Sequence, residues 1–196
     1  MLRILVTVGW IACVVYSTIP SFWLMIHPRV ADWRARRGSP YSLLIPAWLT
    51  MWVMMAVVTW RWRTVQLYSR PWSWIPAIAL FAIGIWLYKQ AGVDFGWKVL
   101  GGVPELDRRD REQRLITSGI RAHVRHPVYL AHLVEMFAWS IGTGLAVCYG
   151  LTAFAIATGI VMVRMEDYEL ETRFGVAYRE YRRLVPAIIP AFRAQR

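Results

Sequence analysis

Two short stretches hold most of the residues whose types and spacing could do chemistry. The first, Gly119 to Tyr129, reads Gly-Ile-Arg-Ala-His-Val-Arg-His-Pro-Val-Tyr. The second begins Arg164-Met165-Glu166-Asp167-Tyr168-Glu169-Leu170-Glu171 and continues through Phe174-Gly175 to Tyr178 and Tyr181. Each lies where a charged segment meets an apolar run, so guanidinium, imidazole and carboxylate groups crowd a polarity boundary. Pro127 suits the first position of a helix, which puts His126 near the N-cap. Free backbone N–H groups and the positive end of the helix dipole at such a start suit a carboxylate on a ligand. Further in, Tyr129, His132 and Met136 recur at helical spacing, and Glu135 lies one turn from His132. An ionisable group inside an apolar run is costly, which makes it a functional candidate. It has an equally good structural reading, in which His132 and Glu135 satisfy each other or a neighbouring helix. A metal site is disfavoured, because one His and one Glu at i,i+3 are half a ligand set and no second Glu-x-x-His occurs. Four acidic residues between Glu166 and Glu171 are ordinarily a solvated face, but Glu166 directly follows a long apolar run.

The elements that must position these residues belong to a membrane protein. The chain has 196 residues, 57% of them hydrophobic, above the share of about 45–50% usual in soluble domains. Many of its 12 Trp stand near the ends of apolar runs, where amphipathic rings sit at a bilayer interface. With that setting the net charge of +11 points to phospholipid headgroups rather than nucleic acid. Cys13 and Cys148 lie inside apolar runs and give neither a metal-ligand spacing nor a disulfide framework. The first run, Leu2 to Ile26, looks too long for a signal peptide and reads as a retained span, kinked or ended near its far side by Pro20. Tyr41 to Trp60 and Trp72 to Tyr88 are the second and third spans, each near the ~20 residues a crossing needs. Residues 89–126 are polar and read as a loop and a short helix outside the membrane. Val128 to Val163 is short for two spans and far too long for one. With Gly142 and Gly144 near its middle it reads as a tight hairpin, one helix to about Ile141 and the next from about Leu145. The remainder, from Arg164, reads as helical at first and then broken by Pro186 and Pro190.

This is an all-α fold: one integral-membrane domain over 1–196 with about five transmembrane helices and a C-terminal helical cytoplasmic segment. Residues 1–88 supply three spans, and 89–196 form the core with hairpin 128–163 and tail 164–196. Five spans place the 27–40 loop, the 89–126 segment and the tail on one side, with 19 of the 23 Lys and Arg. Cytoplasmic loops carry such an excess, so the N-terminus is expected outside and the C-terminus in the cytoplasm, in a bacterial-type inner membrane. No Gly-rich phosphate loop follows a strand, which argues against a soluble nucleotide site.

Taken together, Gly119-x5-Arg125-His126-Pro127-x-Tyr129, the glycine-turned hairpin, Glu166-Asp167-x2-Leu170-x3-Phe174-Gly175-x2-Tyr178-x2-Tyr181 and Val185-Pro186-x3-Pro190 resemble the isoprenylcysteine carboxyl methyltransferase family, much of whose pattern is shared by membrane phospholipid methyltransferases. The resemblance covers roughly residues 90–190. It implies a membrane-embedded enzyme using S-adenosylmethionine in a cytoplasm-facing pocket, without a metal, and a lipophilic or lipidated substrate arriving sideways from the bilayer. By motif match, Gln113, Arg114, Leu115 and Ile116 would line the adenosyl side. Arg125, His126, Pro127, Val128 and Tyr129 would contact the cofactor, Glu166 would hold its amino-acid part, and Tyr178 would complete the pocket. The sequence departs from the pattern twice. Arg121 stands where the family has a tyrosine, and Met162 stands where its carboxyl methyltransferases have a substrate-contacting arginine. Arg164 is the nearest arginine, about 200° further round an ideal helix, and would reach the site only if the helix end unwound or bent. A carboxylate acceptor needs no base at neutral pH, whereas an amine must first lose a proton. His132 and Glu135, with Arg164, are therefore the catalytic candidates, and the amine acceptor remains an open alternative. A non-catalytic membrane accessory protein is the alternative of another class.

Overall fold

The computed structural model describes residues 2–92, Leu106 and residues 115–189. Its helices follow the apolar runs: α1 (Leu2–Ile26), the short α2 (Val30–Ala35), α3 (Tyr41–Thr59), α4 (Trp74–Gln90), α5 (Pro127–Thr143), α6 (Ala146–Phe174) and α7 (Val176–Leu184). Among the described residues the only extended pairing is an isolated antiparallel bridge between Gln66 and Leu145. The chain is an all-α, polytopic membrane protein. Among the described residues, four helical segments are long and apolar enough to cross a bilayer: 3–35, 41–62, 71–90 and 146–174. The expected count of five is therefore approximate. Helix α5 has 17 residues and reaches only about 26 Å, short of the ~30 Å hydrocarbon core.

Of the two outcomes expected at Pro20, an end or a kink, the helix does not end there. The helix runs through it to Ile26 and is continued by a 3-10 turn at His27–Arg29 and by α2. Pro46 is likewise accommodated inside α3. Proline removes one backbone bond, and inside a bundle neighbouring groups make good the loss. Pro76, by contrast, lies in the first turn of α4, where no intrahelical N–H bond is forfeited. The hairpin turn falls where glycine allows it. Gly144 has φ 65, and a Cβ there would stand 2.2 Å from the Tyr68 carbonyl oxygen. The 60–73 connection straps this turn: Leu67 N–H donates to the Gly144 carbonyl at 2.8 Å, and Ala146 N–H to the Val65 carbonyl at 3.0 Å.

Helix α5 sits in the middle, packed on α4, α1 and α6. Close approach rather than apolar burial holds such bundles, since lipid is as greasy as leucine. The Tyr129 ring lies directly against Gly159 of α6, and its hydroxyl donates to the Ala155 carbonyl. Gly84 of α4 admits the side chain of Glu135 in the same way. The outer helices α3 and α4 turn Val53, Met54, Val57, Ile75 and Ile78 outward, as lipid-facing helices do.

The bundle has two distinct ends. Gly9 near the start of α1 touches Thr143, and Trp10 Nε1 donates to Thr59, which puts the N-terminus, the 60–73 strap and the hairpin turn together. His27, the start of α5 and the middle of the charged stretch after Glu166 meet at the other end. This is the grouping that the alternation of loops predicted.

Candidate functional site

Three elements bring the two chemistry-bearing stretches into contact. Helix α5 starts at Pro127, leaving His126 as its N-cap residue. Helix α6 continues unbroken past the apolar run to Phe174, so Glu166 and Asp167 are held on its rigid body beside His126. Gly175, with φ 59, then turns the chain so that α7 folds back over them. The segment after α7 closes the arrangement: Arg125 N–H donates to the Pro186 carbonyl at 2.9 Å, and His126 N–H to the Ala187 carbonyl at 3.0 Å. The tail thus takes the two backbone donors that precede the first turn of the helix.

The polar cluster is dense and mostly buried. The His126 Nδ1 lies 3.1 Å from Glu166 Oε2, and its Nε2 lies 3.0 Å from Asp167 Oδ1. Arg125 Nη2 donates to Asp167 Oδ2 at 2.7 Å, the Tyr178 hydroxyl donates to Oδ1, and Arg182 Nε stands 3.7 Å away. The other end of the Arg125 guanidinium donates to the carbonyls of Arg182 and Val185. Tyr181 closes the layer by donating to the Arg121 carbonyl at 2.6 Å, and the Arg121 guanidinium donates to the Ala91 carbonyl at 3.0 Å.

Burial by itself would lower the pKa of His126. The carboxylates of Glu166 and Asp167 outweigh it and raise the value to about 9. His126 is then an imidazolium, with both ring N–H groups donating to carboxylates. Burial, with the neighbouring Asp167 carboxylate, pushes the Tyr178 phenol well above its ordinary value, so it stays a donor.

The two carboxylates differ in what they have left. Asp167, 5% exposed, is saturated by Arg125, His126 and Tyr178. Glu166 is 28% exposed and is met by His126 and, at 4.0 Å, by His27. Glu166 therefore retains capacity toward a further cation, whereas Asp167 holds the layer together.

The remaining sequence-derived candidates fall in separate places. Leu115 packs on Tyr178, Tyr181 and Val185, and Ile116 is exposed. Gln113 and Arg114 lie outside the described residues. Val128 packs beside Leu87, Tyr88 and Ala131, on the α4 side of α5. Tyr129 joins Met162, Val163, Ala187 and Ile188 in an apolar layer just inside the cluster. His132 and Glu135 do not pair with each other. The Glu135 carboxylate accepts from the Tyr16 hydroxyl of α1 at 2.6 Å, and His132 Nδ1 lies 2.8 Å from the Val128 carbonyl, its ring between Tyr16 and Tyr88. Neighbouring helices thus satisfy Glu135, which is one of the two outcomes weighed for it. Arg164 is exposed on α6, which stays helical through this point to Phe174 without the unwinding that would carry the arginine to the position of Met162.

Sequence reasoning missed two members of this site. Asp167 was visible inside the motif but was given no role, because its saturation depends on three partners, Arg125 and His126 before α5 and Tyr178 on α7. His27 lies outside every motif, and only the packing of α1 against α6 brings it to Glu166. Among the described residues no group of three or more His, Cys, Asp and Glu is placed to hold a metal ion. A cleft lined by Gln66, Arg70, Trp74 and Gly142 lies at the opposite end, by the hairpin turn, away from this chemistry.

Comparison with known proteins yields several relatives. Protein-S-isoprenylcysteine O-methyltransferase B of Arabidopsis thaliana is 32% identical over 88 residues, covering 42% of this chain and 43% of the relative. Protein-S-isoprenylcysteine O-methyltransferase of Xenopus laevis is 28% identical over 195 residues, 93% of this chain and 63% of the relative. Methanethiol S-methyltransferase 2 of Bradyrhizobium diazoefficiens is 33% identical over 73 residues, 37% of this chain and 27% of the relative. No family model and no solved structure matches. The matched region spans less than half the length of the first of these relatives and under two thirds of the second.

Proposed function

We propose, on the premise that the chain is kin to the isoprenylcysteine carboxyl methyltransferases, that it is an integral-membrane methyltransferase using S-adenosylmethionine on a lipophilic acceptor. The observation that carries this reading is the cluster of His126, Glu166 and Asp167, assembled at one end of a membrane bundle by the two family motifs. A polar donor from the cytosol and a greasy acceptor from the bilayer need a site at their boundary, and the cluster adjoins the apolar layer of Tyr129, Met162 and Val163. The residues fit the cofactor. Glu166, partly exposed and with spare acceptor capacity, matches an ammonium group, and Leu115 with the Tyr178 layer offers an apolar wall for a nucleobase.

Bound S-adenosylmethionine would supply a sulfonium methyl already activated for transfer. The protein's task is then alignment and exclusion of water. In this reading the charged His126 fixes both carboxylates, Asp167 anchors α5 to α6 and α7, and the tail 185–189 covers the helix start. The lipidated or lipophilic acceptor reaches the apolar layer from the bilayer, and the cluster faces the cytoplasm of an inner membrane. Residues 89–196 supply the catalytic core of a single domain, with Leu115 and Ile116 on the adenosyl side and Arg125, Pro127 and Tyr129 beside the cluster.

One observation favours a second acceptor class. Met162 is buried at the position of the family's substrate arginine, and Arg164 points away. An acceptor without a carboxylate, such as a lipid amine, suits that site. Its proton would leave to an inner base, for which Glu135 and His132 are the candidates. The third reading, a non-catalytic accessory subunit, separates from both by cofactor binding. Calorimetry with S-adenosylhomocysteine is expected to give a saturable signal, weakened at least about tenfold by Glu166→Ala and unchanged by Glu171→Ala. No binding by the wild-type protein sinks the enzyme reading, and equal effects of the two variants misplace the pocket. Labelled methyl transfer to total lipid, followed by base, then distinguishes a labile ester from a stable amine.

A further inference from the structure

We infer that the cleft beside the hairpin turn binds the phosphate of an anionic phospholipid, with the Arg70 guanidinium as its main contact. This site is separate from the His126 cluster, which lies at the opposite end of the bundle. Val6 of α1, Gln66, Ser69 and Arg70 of the strap, Trp74 of α4 and Gly142 of α5 line the cleft. It encloses about 240 Å3, open space at the mouth included, below the ~300–1,000 Å3 of ordinary small-molecule pockets. A headgroup phosphate fits a space of that size, and a whole cofactor does not.

The walls are fixed by the end of α5. Gln66 Nε2 donates to the Thr143 carbonyl at 3.0 Å, the Tyr68 hydroxyl to the Ile141 carbonyl at 3.0 Å, and Ser73 Oγ to the Gly142 carbonyl at 3.1 Å. These bonds satisfy carbonyls that the helix end leaves open and hold the strap against the turn. Arg63 is engaged within its own turn, donating to the Trp60 carbonyl at 2.9 Å. Arg70 is not: its Cζ lies 5.8 Å from the centroid of the Trp72 ring, and its guanidinium donates to no described residue. The neighbouring Ser69 hydroxyl likewise has no partner among the described residues. A guanidinium fork beside a hydroxyl donor is matched by phosphate oxygens.

Charge and depth select the occupant. Arg3, Arg61, Arg63 and Arg70 stand at this end, while the start of α1, the strap and the hairpin turn carry no Asp or Glu. Such a one-signed surface attracts anions. Trp60, Trp62, Leu67 and Trp72 are each more than half exposed, and amphipathic rings of this kind sit at headgroup level. The cleft therefore meets lipid headgroups rather than bulk water. A headgroup carrying its own ammonium would bring a second cation beside Arg70 with no carboxylate to receive it. That mismatch favours a lipid of net negative charge, such as phosphatidylglycerol.

Native mass spectrometry of the detergent-solubilised protein, titrated with phosphatidylglycerol, phosphatidylethanolamine or phosphatidylcholine of matched chains, tests this. Wild-type protein is expected to bind phosphatidylglycerol about tenfold more tightly than the zwitterionic lipids, and Arg70→Gln to abolish that preference. Arg61→Gln, outside the cleft, is expected to change it by less than about twofold. Arg70 is exposed and its side chain bonds nothing in the fold, so an unchanged melting temperature is expected for its variant. Equal losses in the two variants would mean diffuse attraction and overturn the site. No preference in the wild-type protein, or a preference that survives Arg70→Gln, overturns it as well. Displacement of the lipid by millimolar inorganic phosphate would make free phosphate the occupant and overturn the lipid assignment.

Discussion

His126 is the residue on which the cluster depends electrostatically. Its pKa is raised from 6.5 to about 9 in the folded chain, against the desolvation that would lower it. A raised value means that the stabilisation is fully present below about pH 6.5 and is lost as pH rises through about 9. The melting temperature of the detergent-solubilised protein should therefore fall between pH 7 and pH 10, and His126→Gln should remove much of that slope while lowering the plateau. A slope unchanged in the variant would mean that other groups set it. Asp167→Asn should be more damaging than Glu166→Gln. It removes the charge that compensates both Arg125 and His126, and stripping one partner from a buried ion pair costs about 3–5 kcal/mol. Comparing the thermal midpoints of the two variants at pH 7 checks the order.

At the scale of elements, helix contacts are set by missing side chains as much as by present ones. A Cβ on Gly159 would lie 1.5 Å from the Tyr129 hydroxyl oxygen, so α5 and α6 could not keep their spacing. Gly159→Ala should destabilise the bundle by about 1–3 kcal/mol, as overpacking does, and Tyr129→Ala in the same chain, which removes the ring that the new methyl meets, should recover part of it. Failure of that rescue would locate the strain elsewhere. The length of α6 matters in a different way. Because it stays helical through Glu166, it carries the carboxylates on a regular support and keeps Arg164 exposed. The sequence showed the apolar run ending near Val163 and the charged stretch after it as helical at first, and the structure carries that helix to Phe174.

For the whole molecule, the two ends of the bundle fix a topology that can be measured. The excess of Lys and Arg beside the His126 cluster predicts that this end faces the cytoplasm. In a chain whose two native cysteines are both buried, Gly38→Cys should react with a membrane-impermeant thiol reagent only in inverted vesicles. Arg63→Cys should react only in right-side-out ones, and the reverse pattern would invert the orientation.

The all-α membrane class, the position of each apolar helix, the hairpin, the start of α5 at Pro127 and the shared end for the two motifs all followed from the sequence. Each depends on local composition and on the parity of spans, which a linear reading contains. The helix ends were less legible, since Pro20 would break a helix in water but not where neighbouring helices support it. Contacts between distant segments were out of reach. His27 meeting Glu166, Tyr16 satisfying Glu135 and the tail capping Arg125 and His126 join residues 60 to 139 positions apart. No periodicity encodes such pairs. Side-chain volumes, with glycines where helices touch, decide which faces meet, and only the packed bundle then buries Asp167 among its partners and leaves Glu166 partly exposed beside it.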